Sequence, residues 1–130
     1  MVKNLVEKGN LDQPVLLYNR TIKRSEDVAG ELPGGKTEIV NSIEEGVKRA
    51  NIVFSIVSND AAARAVFETV LRVDVKGKLF VECSTIHPDT TEQIARDVEA
   101  ADAQYLACPV VSPCFYAKPP TVRTPVESNR

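Results

Sequence analysis

Three short polar segments follow closely on apolar runs: Asn19-Arg20-Thr21 after Val15 to Tyr18, Ser58-Asn59-Asp60 after Ile52 to Val57, and Cys83-Ser84-Thr85 after Leu79-Phe80-Val81. Their side chains offer hydrogen-bond donors and acceptors for holding a ligand. A guanidinium beside a hydroxyl makes a fixed positive fork suited to a phosphate or carboxylate. More reactive groups are sparse. His87 is the single histidine, which excludes a multi-histidine metal centre. Cys83, Cys108 and Cys114 are odd in number, at spacings that match neither a disulfide framework nor a CxxC metal site. They read as reduced thiols in a cytoplasmic compartment. No metal ligand is assigned.

The runs that precede these segments have the texture of strands. Ile52 to Val57 is β-branched and almost wholly apolar, the pattern of a strand covered on both faces in a parallel sheet. Weaker strands are expected at Glu38 to Val40 and Tyr105 to Ala107. Helices fall between them. Val2, Leu5 and Val6 have helical spacing, closed by Gly9. Thr21 starts a helix reaching about Glu31, with Ile22, Val28, Ala29 and Leu32 inward. Ser42 and Glu45 form a capping box for a helix carrying Ile43, Val47 and Ala50. Asp60 is the expected cap of a helix with Ala62, Val66, Phe67, Val70 and Leu71 inward. The last helix runs from about Asp89 to Ala100, with Glu92 placed to complete a second capping box.

Strands and helices that alternate through short connections define an α/β fold, a doubly wound parallel sheet of Rossmann-like type. The chain's 130 residues suit one domain, and 43% hydrophobic with 26% charged residues is a globular balance. Sixteen basic against eighteen acidic residues leave a net charge of −2 and no basic stripe, which argues against nucleic acid as a partner. The apolar runs are too short to span a bilayer. Beyond Pro109 the texture changes, since five of the eight prolines lie between Pro109 and Arg130. The expected organisation is a domain over 1–111 and a proline-rich, disordered tail over 112–130.

In an open parallel sheet, ligands bind outside the carboxyl ends of the strands, which is where the three polar segments fall. After Tyr18, an NAD-specific domain would place an acidic residue for the ribose hydroxyls. Here Asn19-Arg20-Thr21 offers a cation and a hydroxyl, which favours the 2′-phosphate of NADP(H). The GxGxxG turn that normally cradles the pyrophosphate is not among the 130 residues.

Five landmarks in order carry a family resemblance: Asn4-Leu5 with Lys8-Gly9, Tyr18-Asn19-Arg20-Thr21, Val57-Ser58-Asn59-Asp60, Glu82-Cys83-Ser84-Thr85-Ile86-His87-Pro88, and Cys108-Pro109-Val110. Over about Met1 to Val110 the chain resembles the β-hydroxyacid dehydrogenases of the 6-phosphogluconate dehydrogenase superfamily. The resemblance implies an NADP-binding Rossmann domain whose Asn19, Arg20 and Thr21 take the adenosine 2′-phosphate. It implies that Val57, Ser58 and Asn59 run beside the ribose and pyrophosphate. It also implies that Ser84 and Thr85 meet the substrate carboxylate, with Thr85 near the nicotinamide end. His87 reads as a loop residue at a helix start. The complete family transfers a hydride between NADP(H) and a small hydroxy or oxo acid.

Two departures from that family set further expectations. Its first strand and glycine turn have no counterpart here, so Met1 to Gly9 matches the later half of the first helix. In a sheet of order 3-2-1-4-5-6 this leaves the second and fourth strands with unpaired edges. Its catalytic lysine helix is also unmatched, since Lys118 stands in proline-rich sequence, and no catalytic residue is assigned. The expected product is therefore a fragment truncated at both ends and inactive alone, forming a homo-oligomer only if a C-terminal helical domain exists. The alternative is a non-catalytic regulatory or interaction module that retains the fold.

Overall fold

A computed structural model describes residues 1–110; Val111 and the proline-rich stretch 112–130, with Cys114 and Lys118, lie outside the described residues. The element order is α1 (Val2–Lys8), β1 (Val15–Leu17), α2 (Ile22–Gly30), β2 (Thr37–Ile39), α3 (Ile43–Arg49), β3 (Ile52–Ser55), α4 (Asp60–Val70), β4 (Leu79–Glu82), α5 (Pro88–Ala100) and β5 (Gln104–Ala107). Every strand pairing is parallel. The helices between paired strands are the crossovers that parallel pairing requires.

The strands form two sheets. β1 pairs with β2, and β3-β4-β5 form a second sheet with β4 in the middle. β1 and β3 are therefore both edge strands, the two that correspond to the second and fourth positions of the expected order. The main core lies on one face of the larger sheet. Phe80 of β4 and Tyr105 of β5 meet Phe67 of α4 edge-on, with ring centroids 5.9 and 5.6 Å away. Ala63 and Val70 of α4, Ile94 and Val98 of α5, and Val47 of α3 complete that cluster.

The opposite face corrects the expectation for Ile52 to Val57. Ile52, Phe54 and Ile56 are 54%, 45% and 58% exposed, whereas Val53 and Val57 pack on the core. The apolar pattern shows which residues suit a covered sheet, but coverage needs a helix, and α4 and α5 both take the other face. Ile22 and Val28 are likewise exposed instead of inward, while Ser25 and Leu32 are buried around α2.

Helix starts follow local chemistry more closely than the sequence pattern alone. At α3, Ser42 Oγ accepts from Glu45 N–H at 3.1 Å, as the capping box requires. The Glu45 carboxylate reaches back one residue further, accepting from Asn41 N–H at 3.0 Å. Asn59, not Asp60, caps α4, its Oδ1 accepting from Ala62 N–H at 2.9 Å. That moves the helix start one residue earlier and leaves the Asp60 carboxylate for another use. The second capping box does not form either. Pro88 occupies the first turn of α5, His87 is its cap, and Glu92 pairs instead with Arg96 at 2.9 Å. Pro88 fixes the start, because its preset φ suits the first helical position and its missing N–H costs nothing there.

Candidate functional site

Residues 55–60 and 82–90 form a single hydrogen-bonded unit at the carboxyl ends of β3 and β4. Ser84 Oγ accepts from Val57 N–H at 2.6 Å, tying the loop after β4 to the loop after β3. Glu82, 1% exposed, holds both from below. Its Oε1 accepts from Ser84 N–H at 2.9 Å, and its Oε2 accepts from the Ser55 hydroxyl. A charged group is tolerated at such depth only when its lone pairs are met, and both carboxylate oxygens are engaged.

A second set of bonds fixes the outer rim. Asp60 Oδ1 accepts from His87 N–H at 2.8 Å. Arg64 Nη2 donates to Thr90 Oγ1 at 2.8 Å. The Thr90 hydroxyl, then the His87 amide, hold the Asp60 carboxyl below the usual carboxylate range. His87 is exposed, and its Nδ1 accepts from Asp89 N–H at 3.3 Å, a capping role consistent with its reading as a loop residue.

The segment after β1 has a different character. Thr21 N–H donates to Asn19 Oδ1 at 2.9 Å, an Asx turn that bends the backbone around Arg20. Thr21 then opens α2 with extended backbone and no side-chain cap bond. Arg20 is exposed, and among the described residues its guanidinium enters no recorded hydrogen bond or ion pair. Beside this turn, Val2 of α1 and Arg24, Ser25 and Val28 of α2 line a shallow hollow with Tyr18 and Asn19.

The expected site residues thus divide by what they already do. Asn19 closes a turn, Asn59 caps α4, and the Val57 amide and Ser84 hydroxyl bind each other. Arg20, Thr21, Ser58 and Thr85 are all exposed. Val57 and Ser84 meet directly, whereas no recorded hydrogen bond joins the Asn19–Thr21 turn to either of the other loops. Glu82 and Thr90 were missed as site-building residues, and Asp60, named in its loop, was read as a helix cap. A carboxylate ending an apolar strand is the one signal that marks Glu82 in the sequence.

The donor set suits a polar, anionic ligand in part. Arg20 with Thr21 fits a phosphate. Among the described residues there is no GxGxxG turn to cradle a pyrophosphate.

Parallel strands, crossover helices and polar loops gathered at strand ends place the chain in the Rossmann-like class of nucleotide-binding α/β domains. Residues 1–113 match the NAD binding domain of 6-phosphogluconate dehydrogenase, and the chain belongs to that family. It is 33% identical over 111 residues to an NADH-dependent oxidoreductase of Aspergillus ustus, covering 85% of this chain and 38% of that protein. It is 31% identical over 110 residues to the cytokine-like nuclear factor N-PAC of Drosophila melanogaster, covering 82% and 17%. It is 26% identical over 113 residues to mitochondrial 3-hydroxyisobutyrate dehydrogenase of Mus musculus, covering 85% and 32%. The chain therefore spans well under half the length of these relatives. Among solved structures, Psf3 in complex with NADP+ and 2-OPP superposes with a TM-score of 0.72 at 21% identity, over 85% of this chain and 38% of that one. Among the described residues, no helix is long and apolar enough to cross a membrane.

Proposed function

We propose that this domain binds NADP(H) and serves an oxidoreductase that passes a hydride between the nicotinamide and a small hydroxy or oxo acid. The observation that carries the cofactor choice is the exposed Arg20 guanidinium, presented by an Asx turn just past β1 with its donors unspent among the described residues. In this reading Arg20 takes the adenosine 2′-phosphate, with Asn19 shaping the turn and Thr21 adding its hydroxyl. Val57, Ser58 and Asn59 flank the ribose and pyrophosphate. Ser84 and Thr85 face the substrate carboxylate, with Thr85 toward the nicotinamide. When bound, the cofactor supplies or accepts the hydride.

The substrate class is supported by the mouse relative, named for a small hydroxy acid. The cofactor form is where the relatives diverge, since the Aspergillus protein is named for NADH and Psf3 holds NADP+. A reducing, cytoplasmic setting belongs to this reading and rests on the cysteine usage alone.

Titration of the full chain with NADPH and with NADH, followed by thermal shift and calorimetry, tests the assignment. NADPH is expected to bind at least tenfold more tightly. Arg20→Ala should remove most of that preference, because a charge-assisted contact is worth about 1.5–3 kcal/mol, or roughly 10- to 150-fold in affinity. Equal affinity for the two cofactors, or an unchanged preference in Arg20→Ala, overturns it.

A second reading, a non-catalytic interaction module, is favoured by the likeness to the cytokine-like nuclear factor N-PAC. NADPH oxidation that depends on an added small oxo acid or aldehyde would decide for the enzyme.

A further inference from the structure

Cys83 and Cys108 stand at the ends of neighbouring strands. β4 and β5 pair in register up to Glu82↔Ala107, so these cysteines are one register step further on. Past the strand ends the two segments stay bonded: Cys108 N–H donates to the Glu82 carbonyl at 2.8 Å, and Val110 N–H to the Cys83 carbonyl at 3.0 Å, the second one residue short of the Ser84 carbonyl that strict register would use. Adjacent strands lie about 4.8 Å apart, a spacing comparable with the ~4.4–6.8 Å Cα separation that a disulfide spans. Strand alternation assigns both positions to the face opposite the Glu82 carboxylate.

Their surroundings differ in a way that assigns roles. Cys108 is exposed, whereas Cys83 is buried. Burial, then the nearby Cys108 and Glu82, push the Cys83 thiol up, so it is the poorer nucleophile toward a dissolved oxidant.

We propose that Cys83 and Cys108 are an oxidisable pair that forms an intrachain disulfide in response to a hydroperoxide. The Cys108 thiolate attacks the peroxide oxygen, giving a sulfenic acid and releasing hydroxide, which takes up the thiol's proton as water. Cys83 sulfur then attacks the sulfenic sulfur, expels water and closes the S–S bond. In sum, two thiols and one hydrogen peroxide give one disulfide and two waters. The bond ties the segment leading into Ser84 to the segment leaving β5. This pairing does not depend on which cofactor the domain binds, or on whether it binds one.

The test uses the full chain carrying Cys114→Ser, so that only these two thiols remain. After treatment with hydrogen peroxide, thiols are counted in denaturant, and peptides are mapped by mass spectrometry without reduction. The expected result is loss of both thiols together, a monomer lighter by two hydrogens, a peptide joining Cys83 to Cys108, and full recovery with dithiothreitol. In Cys83→Ser/Cys114→Ser, Cys108 should instead be trapped by dimedone as a sulfenic acid, or be driven to sulfinic acid. Oxidation of Cys108 alone while Cys83 stays reduced overturns the pairing, and so does a disulfide found only between chains. Loss of Cys83 with no change in the fate of Cys108 overturns it as well.

Discussion

The two sheets carry the same kind of element but are held in different ways. Around β3-β4-β5, aromatic and aliphatic side chains from three strands and three helices form a continuous cluster, and the loops at the strand ends are cross-linked through Glu82 and Asp60. Around β1-β2, the buried apolar residues reduce to Leu17, Leu32 and Val40, and α1 buries none at all. The site is split along the same line. Ser84 and its neighbours sit on the consolidated half and are already hydrogen-bonded, whereas Arg20 sits on the lighter half with its guanidinium unspent among the described residues. Preorganisation thus belongs to one end of the candidate crevice and adaptability to the other.

The sharpest way to break this contrast is to remove core volume from each half. Phe80→Ala should cost about 3–5 kcal/mol and abolish cooperative melting of the whole described region, because Phe80 contacts the cluster that all later elements share. Leu17→Ala removes a side chain from the smaller sheet, so it should loosen β1-β2 while the Phe67–Phe80–Tyr105 packing survives. Hydrogen exchange followed by mass spectrometry distinguishes the two. If Leu17→Ala deprotects β4 and β5 as much as β1 and β2, the halves are one cooperative unit and the contrast fails.

Removing the buried carboxylate is the next largest change. Glu82→Ala strips the acceptor from both Ser84 N–H and the Ser55 hydroxyl. Each buried donor left unmet costs about 1–3 kcal/mol. Glu82→Gln keeps an acceptor for one of them and should fall between the variant and the parent. A Glu82→Ala protein as stable as the parent would show that water replaces the carboxylate, and that the loops are not locked as described.

Much of this was legible before any coordinates. Alternating apolar runs and helical periods place every strand and helix to within a few residues, because backbone hydrogen bonding allows few other arrangements of such patterns. Three features were not legible, each for a definite reason. Burial of Ile52, Phe54 and Ile56 depends on which face the helices cover, and periodicity within a strand does not encode that. The choice of Asn59 over Asp60 as the cap turns on a one-residue shift between two good capping types. Glu82 looks like a solvated residue at a strand end until Ser55 and Ser84 are seen to bind it. Arg20, by contrast, could be placed past the first strand from sequence alone, since only its local context was needed.

Within the consolidated half one group is poorly served. The Tyr105 hydroxyl is buried with no hydrogen-bond partner among the described residues, and burial, with the Glu82 charge as a smaller cause, pushes its pKa up to about 12. Tyr105→Phe removes the orphan while keeping the ring against Phe67. It should therefore raise stability by about 1 kcal/mol, read as a higher midpoint in urea. The sign at high pH is also fixed. The folded state favours the neutral phenol, so its contribution is whole below the unfolded value near 10 and is lost as pH climbs toward about 12. The Phe variant should lose this part of the alkaline slope.

The smallest effects are at acid pH, and they separate the halves most finely. Two carboxylates titrate below their ordinary values in the fold: Glu38 on β2, through its hydrogen bonds to Arg49 at 2.8 and 2.7 Å, and Asp60 on α4, through Thr90 and His87. In both, the folded state prefers the charged form. Their stabilisation is therefore present above the unfolded values, 4.5 and 3.8, and is lost as pH falls through the lower folded values. Salt distinguishes their causes. Glu38 and Arg49 are an exposed ion pair whose attraction is screened as ionic strength rises. The bonds to Asp60 come from uncharged donors and should change little. Carbon-detected NMR titration at low and high salt should move the Glu38 midpoint up toward 4.5 and leave Asp60 nearly fixed. If Asp60 moves as far as Glu38, its carboxylate answers to distant charge rather than to Thr90 and His87, and the loops at the ends of β3 and β4 are held less tightly than their hydrogen bonds imply.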